Sequence, residues 1–548
     1  MTHKIRIYRT GKLTGEIEAS SGETLLGLIS AAGIFLDAPC GGKGKCGKCL
    51  VQLEPAGEQV LACQTRADRN MDVYLPDDME MRIADAGAGS LLETGSRTTE
   101  GSATGSSGAS AQGRTTEGST TGSSGASAQG SAREARRLGL AVDIGTTTVV
   151  AHLTDMDTGE RLATASGVNA QRPFGADVIS RIQYSADNGH EALTRLIREQ
   201  LAKLILETCA SSGEQSENII YISIAANTIM EHLAAGYSPV GMGVVPFTTV
   251  SLFGNEIPAE ADLPVAGDAL IYYAPAIDSY VGGDITAGML AAGLEDMEGP
   301  VVYLDIGTNG EIALKTGDKY YCCATAAGPA FEGAEITMGM AAVSGAVNHV
   351  EWDGGLKLSI IGDTKPRGLC GSGLLDALAV LLETGAVDET GRLLSPEEIS
   401  HEIAARIGTV DKTNVFMLTD DGSVYMSASD IRKLQLAKSA IAAGIQTLLR
   451  HVGITQDDVK QFVLAGGFGS FMNQFSAARI GLFPGVFLPV TLTLGNTAGE
   501  GAAVALCSPD ARERLESMRK SCEYIELSTS PIFNEQFVEQ MMFGEEES

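Results

Sequence analysis

The stretch LGLAVDIGTTTVVAHL, residues 138–153, carries the most structural information in the chain. It runs apolar up to Asp143, turns through Gly145, Thr146 and Thr147, and runs apolar again. That pattern predicts a buried strand, a tight turn and a second strand. The design returns in VVYLDIGTNGEIAL, residues 301–314, with Asp305, Gly307, Thr308 and Asn309 in the equivalent places. Two copies predict a duplicated α/β domain with a cleft between its halves. Backbone N–H groups after a glycine cradle phosphate oxygens, and the threonine hydroxyls donate to them. An aspartate at each strand end can hold Mg²⁺ through water and orient an attacking nucleophile. Asp143 and Asp305 are therefore candidate catalytic residues. Either hairpin alone also fits an ordinary turn whose aspartate caps backbone N–H groups.

Further pieces belong with this cleft. FVLAGGFGS, residues 462–470, is a strand emptying into Gly466, Gly467 and Phe468, where a flat adenine or ribose could approach the backbone. GNTAGEGAAVAL, residues 495–506, opens an alanine-rich helix. Asp284, between glycines in GGDITAG (282–288), reads as a third Mg²⁺- or water-positioning group, or as an Asx turn serving its own loop.

Near the start, APCGGKGKCGKC (38–49) sets Cys40, Cys46 and Cys49 in a glycine-rich loop, and Cys63 follows after thirteen residues. Four thiolates can hold two irons and two sulfides, and glycine lets the backbone wrap closely around an inorganic core. The spacing differs by one residue from the plant-type run and resembles the adrenodoxin-like [2Fe–2S] ferredoxins. A four-cysteine zinc site also likes C-x2-C, but it usually presents two such knuckles. Strands over 4–8 and 15–19, a helix over 23–32, and strands over 49–53, 60–63 and 71–75 give the order of an α+β β-grasp ferredoxin. Lys43, Lys45 and Lys48 ring the loop, either as a docking face or as ordinary solvation.

At 548 residues the chain is too long for one core, and 44% hydrophobic content supports several. A formal net charge of −30 argues against nucleic acid and anionic membranes as partners. The opening residues read as a strand with no apolar segment of a signal peptide behind them. No run has the apolar length of a membrane span. The remaining cysteines are scattered, as free thiols in a reducing cytoplasm are. The expected location is cytoplasmic.

Between these modules the composition falls to Gly, Ser, Thr and Ala. RTTEGSATGSSGASAQG, residues 97–113, repeats over 114–130 with one change, Ala103 becoming Thr120. The repeat has no hydrophobic face to stack, so it reads as a flexible linker spanning about 40 Å. The expected domains are 1–83 (ferredoxin-like), 84–137 (linker), 138–300 (first half of the duplicated α/β module) and 301–548 (second half with a C-terminal extension).

Residues 138–506 resemble the actin-like superfamily of actin, sugar kinases and heat-shock ATPases (ASKHA), a duplicated ribonuclease-H-like α/β fold. NAQRPFGADVISRI (169–182), AANTIMEHL (225–233), GGDITAG, AGPAFEG (327–333) and GLCGSG (368–373) narrow the match. With the N-terminal [2Fe–2S] domain, the whole resembles the reductive activators of corrinoid enzymes. The resemblance implies ATP with Mg²⁺ in the cleft, and reduction of a partner's Co(II) corrinoid to Co(I) at the expense of ATP. The electron would come from a low-potential donor such as a ferredoxin or flavodoxin, and superfamily precedent is a homodimer through the ATPase module. [2Fe–2S] potentials near about −400 mV lie above those expected for Co(II)/Co(I), and each ~59 mV uphill costs a factor of ten. ATP closing the cleft could offset this by selecting one docked state. The family's longer members carry a folded segment between the two modules, and here only the linker is expected in that interval. A metabolite kinase with an attached iron–sulfur domain is the alternative. AGPAFEG reads as a partner-facing or nucleotide-gating loop. His232 reads as a core histidine, and Cys322, Cys323 and Cys370 as core thiols rather than a second cluster.

Overall fold

The computed structural model describes residues 2–76, apart from 10, 21, 33, 35, 37–41, 43, 45–48, 55 and 56, and residues 136–544 apart from 363. Cys40, Cys46, the three loop lysines, the repeat, the expected boundary at 83 and the acidic end lie outside the described residues.

The N-terminal sheet contains β1 (Thr2–Arg9), β2 (Lys12–Ser20), β3 (Leu50–Glu54), β4 (Glu58–Leu61) and β5 (Met71–Tyr74), in the order β2-β1-β5-β3-β4. β1 runs parallel to β5, and the other pairings are antiparallel. Alternation along β1 turns Ile5 and Ile7 inward, both fully buried, against Leu25 and Ile29 of helix α1 (Leu25–Ala31). Each such side chain contributes about 1.5–3 kcal/mol on burial. The expected strand over 60–63 ends earlier, at Leu61, because residues 62–64 form a turn that places Cys63.

Residues from 138 onward build two six-stranded sheets. The first contains β6 (Leu138–Ile144), β7 (Thr148–Asp155), β8 (Arg161–Val168), β9 (Ile219–Ala226), β10 (Glu256–Pro258) and β11 (Leu270–Tyr273), ordered β10-β11-β9-β6-β7-β8. Helices α2 (Val178–Asn188), α3 (Glu191–Ser212), α4 (Thr228–Ala235) and α5 (Gly283–Ala291) accompany it. The second contains β12 (Val301–Ile306), β13 (Gly310–Thr316) and β14 (Lys319–Thr325), then β21 (Gln461–Ala465), β22 (Thr491–Thr493) and β23 (Cys522–Tyr524). Its order is β22-β21-β12-β13-β14-β23. Each sheet has an antiparallel three-strand meander followed by two parallel strands. The repeated hairpins are the first two strands of each meander.

Between β14 and β21 the second half carries two small sheets: β15 (Ala346–Trp352), β16 (Leu356–Ile360) and β17 (Gly368–Leu369), and β18 (Ile407–Val410), β19 (Thr413–Met417) and β20 (Tyr425–Ser427). Helices α6 (Gly371–Glu383) and α7 (Ala428–Val452) lie in the same interval. α8 (Gln474–Arg479), α9 (Thr497–Cys507), α10 (Pro509–Lys520) and α11 (Pro531–Glu539) complete the fold. In the C-terminal extension α11 packs on α7.

The halves share a core. Ala141 and Ala225 of the first sheet, Tyr303 and Val463 of the second, and Ala498 and Ala502 of α9 bury into one cluster with Ala287 of α5. α5 and α9 approach so closely that a Cβ at Gly501 would lie 2.0 Å from the Ala287 carbonyl oxygen. Small residues at this crossing set the spacing of the halves, and hence of the cleft.

Candidate functional site

Asp143 and Asp305 each occupy the next-to-last position of a central strand, β6 and β12, and the turns that follow face one another. The first turn is held from three sides. Asn169 donates from Nδ2 to the Gly145 carbonyl at 2.8 Å, and Asn227 donates to Thr146 Oγ1 at 3.1 Å. Arg181, fully buried, donates to the Thr146 carbonyl at 2.5 Å. These contacts explain the 169–182 and 225–233 stretches, which serve the turn. Asp177 is the N-cap of α2 and accepts from the Ser180 N–H at 2.7 Å.

The turns meet across the cleft: Thr147 Oγ1 lies 3.4 Å from Thr308 Oγ1. Glu332 bridges them, accepting from Thr147 at 2.9 Å and from Thr308 at 2.5 Å. Its neighbour Phe331 stacks on Phe468, with ring centroids 5.8 Å apart. Gly466, at φ 88°, brings the third piece against Asp305, and a Cβ there would lie 2.5 Å from Asp305 Oδ1. The structure thus brings Gly145, Thr146, Thr147, Gly307, Thr308, Asn309, Gly466, Gly467 and Phe468 to one cleft with Asp143 and Asp305.

The cleft floor is acidic. Burial raises the Asp143 carboxyl to about 7, partly opposed by the hydrogen bond from Asn496, with nearby Asp305 adding to the rise. Burial raises Asp305 to about 6, against a hydrogen bond from Tyr303. Asp284, in the first turn of α5, is raised by burial and by the charges of Asp305 and Asp143. It also accepts from the Ile285 N–H at 2.9 Å, a contact within its own loop. Glu311, cross-strand partner of Asp305, is raised by burial and by Asp284 and Asp305. Crowded carboxylates of this kind favour a cation, because their charges are otherwise uncompensated. Among the described residues no three His, Cys, Asp or Glu side chains converge as a direct metal-ligand set.

Sequence reasoning passed over several members of this cleft. Asn496 and Glu311 are not among the residues expected from the sequence, and Arg181 enters only as part of the 169–182 stretch. Tyr303 donates toward Asp305 at 3.4 Å and bonds Thr497 at 2.8 Å, tying β12 to α9. A polar residue inside an apolar run was the available signal for Glu311 and Tyr303.

At the other module Cys49 and Cys63 are buried, and the N–H of Ala62, next to Cys63 in the chain, donates to the Cys49 carbonyl at 2.9 Å. Gly42, at φ 78°, passes close enough that a Cβ would lie 3.8 Å from Cys63 Cβ. Gln64 donates to Cys63 Sγ at 3.6 Å and to the Gly42 carbonyl at 2.9 Å. Buried thiols, a glycine wrap and a donor aimed at sulfur are what an iron–sulfur cluster requires.

Outside these sites, His232 is fully buried, its Nδ1 on the Thr228 carbonyl at 2.7 Å and its Nε2 accepting from the Val250 N–H at 3.0 Å. Cys322 and Cys323 point into different cores, the former 2.8 Å from Cys522 Sγ. Cys370 is buried beside Ser372.

A ferredoxin-type domain joined to a two-sheet cleft module defines the class: an iron–sulfur protein with an actin-like ASKHA fold. Residues 8–68 match the 2Fe-2S iron-sulfur cluster binding domain, 138–297 the RACo middle region, and 299–548 the C-terminal domain of RACo, the ASKHA domain. The chain is 31% identical to the corrinoid activation enzyme RamQ of Eubacterium limosum, over 97% of this chain and 98% of that protein. It belongs to the family of reductive activators of corrinoid proteins. It is also 24% identical to the [Co(II) methylated amine-specific corrinoid protein] reductase of Methanosarcina barkeri, over 72% of this chain and 75% of that one. A solved structure, a reductive activator for corrinoid, iron-sulfur protein, superposes with a TM-score of 0.67 at 28% identity, covering 99% and 98% of the two chains. The middle-region match falls on the first sheet and its helices.

Proposed function

We propose that this chain reduces the Co(II) corrinoid of a partner protein to Co(I), using ATP to drive an electron from a low-potential donor. The observation that carries the ATP half is the 3.4 Å approach of Thr147 to Thr308, which brings two phosphate-type turns to one point. Family membership carries the corrinoid half. In this reading Gly145, Thr146, Thr147, Gly307, Thr308 and Asn309 receive the phosphates, and Gly466, Gly467 and Phe468 receive the nucleoside. Asp143, Asp305 and Asp284 position Mg²⁺ and the attacking water. Mg²⁺ keeps several waters and is shared with substrate phosphates, which suits carboxylates that do not form a closed ligand set. Cys40, Cys46, Cys49 and Cys63 hold the [2Fe–2S] cluster, which when bound relays single electrons. Gln64, donating to Cys63 Sγ, favours extra negative charge at that sulfur. A ferredoxin or flavodoxin as donor, a homodimer through the ATPase module, a cytoplasmic location and the boundaries 1–83, 84–137, 138–300 and 301–548 complete the proposal.

The test is an anaerobic spectrum of a corrinoid protein mixed with this chain, a low-potential reductant and Mg-ATP. Co(I) should form only with ATP, and should be lost in Cys46→Ser. ATP consumption that instead saturates with a small alcohol or carboxylate, with no Co(I), would move the function to a metabolite kinase.

A further inference from the structure

The turn Pro329–Glu332 touches all three pieces of the cleft. Glu332 places one carboxylate oxygen on Thr147 of the first half and the other on Thr308 of the second, at 2.9 and 2.5 Å. Phe331, 1% exposed, stacks on Phe468 of the third piece, its ring plane tilted by only 16°. Two oxygens of one phosphate group would seek the same pair of hydroxyl donors. They cannot share them with a carboxylate, since each hydroxyl has one proton to give and the two anions repel.

The ends of the turn differ. Gly333, at φ 75°, is wedged so that a Cβ would lie 2.8 Å from both the N and O of Met340. Gly328, at φ 74°, has open space around it, with nothing within 4 Å of a built Cβ. The turn is therefore wedged at Gly333, while Gly328 has open space beside its Cα and holds a conformation that only glycine adopts without strain.

We infer that Glu332 is a gating residue that competes with nucleotide phosphate for Thr147 and Thr308, so that phosphate binding releases the 329–332 turn. This rests on the nucleotide-site reading above. Displacing Glu332 breaks the contact that ties the two halves through the turn. Because Phe331 shares that turn, its stack on Phe468 loosens with it. The nucleotide state thereby reaches the 327–345 segment leading into β15. Adenosine, lacking phosphate, leaves the gate shut.

The experiment measures binding of a non-hydrolysable ATP analogue, ADP and adenosine to the full-length, cluster-loaded chain by calorimetry, for the wild type, Glu332→Ala and Glu332→Gln. Removing the competing charge-assisted hydrogen bonds should tighten the triphosphate on the order of ten- to a hundred-fold, and adenosine not at all. Hydrogen exchange over residues 326–340 gives a second readout, independent of affinity. It should rise in the wild type on adding the analogue and be high from the start in Glu332→Ala. Unchanged or weaker triphosphate binding in both variants overturns the gate while leaving the nucleotide site standing. So does exchange that falls or stays constant in the wild type. Failure of the wild type to bind any nucleotide overturns the site itself, and the gate with it. Circular dichroism and melting temperature confirm that the variants are folded.

Discussion

Asn496, at the N-terminus of α9, donates from Nδ2 to Asp143 Oδ2 at the end of β6, 2.7 Å away. The second half of the module thus orients the carboxylate of the first. The same side chain caps its own helix, its Oδ1 accepting from the Gly499 N–H at 2.9 Å. These two jobs can be separated. Asn496→Ser keeps an N-cap oxygen but cannot reach Asp143, whereas Asn496→Ala loses both. Hydrogen bonds to charged groups are worth about 1.5–3 kcal/mol, so both variants should lose roughly ten-fold or more in ATP turnover. The alanine variant should also melt lower, because a lost cap costs about 0.5–2 kcal/mol. Steady-state ATPase assays paired with thermal melts check this. Full activity in Asn496→Ser would show that the bond to Asp143 does not matter for turnover.

The acidic floor makes a signed prediction about pH. Asp143 and Asp305 are held near 7 and 6 in the folded protein, above the ordinary value of 3.8. Between those limits the folded state binds more protons than the unfolded one, so these groups lower stability as pH rises. Their stabilising contribution is complete below about pH 4 and lost by about pH 7. Asp143→Asn removes the larger of these two titrations while keeping an acceptor for Asn496. Its melting temperature should exceed that of the wild type by more at pH 8 than at pH 5. Thermal scans in Mg²⁺-free buffer, at fixed ionic strength, measure the difference. Parallel pH curves for the two proteins would rule out the raised carboxyl.

What could be read from the sequence was local. Asp143 and Gly145, or Asp305 and Gly307, lie within one hairpin, and the apolar runs around them specify strand, turn and strand. The same holds for the glycine pair at 466–467 and for α9, whose alanine content declares a helix. What stayed hidden crosses the chain. Glu332 meets Thr147 across 185 residues, and Asn496 meets Asp143 across 353. No pattern of short period encodes such contacts. β23 is similar: three residues, Cys522–Tyr524, become a parallel edge strand only because β14 is already in place.

The two modules should fail independently. Cys63 is buried and receives the Gln64 side chain, so Cys63→Ser exchanges a thiolate for a hydroxyl at the same position. Hydroxyls are poor ligands for iron–sulfur clusters, and the visible absorption of the anaerobically purified protein should fall sharply. ATP turnover without partner should stay unchanged. Cys322→Ser, in a core thiol remote in kind from any ligand set, is the control that should keep its absorption. Loss of colour in the control alone would place the cluster elsewhere.

Gly466 tests how closely the third piece must approach the cleft floor. It sits at φ 88°, hydrogen-bonds from its N–H to the Gly495 carbonyl, and leaves no room for a methyl group. A Cβ there would lie 2.5 Å from Asp305 Oδ1 and 2.8 Å from the Ile306 carbonyl oxygen. Gly466→Ala must therefore push Asp305 aside, shift β21 against β12, or both. The left-handed backbone adds about 1–2 kcal/mol of strain for a residue with a Cβ. Overpacking adds about 1–3 kcal/mol more. ATP turnover should fall by more than the melting temperature suggests, because Asp305 is the side chain displaced. Gly467, next in line, has nothing within 4 Å of a built Cβ and its φ is not left-handed. Gly467→Ala should therefore fold normally, and weaker ATP binding in that variant would locate the nucleoside against this backbone. Equal stability and equal turnover in Gly466→Ala and the wild type would mean that Asp305 has more freedom than its packing allows.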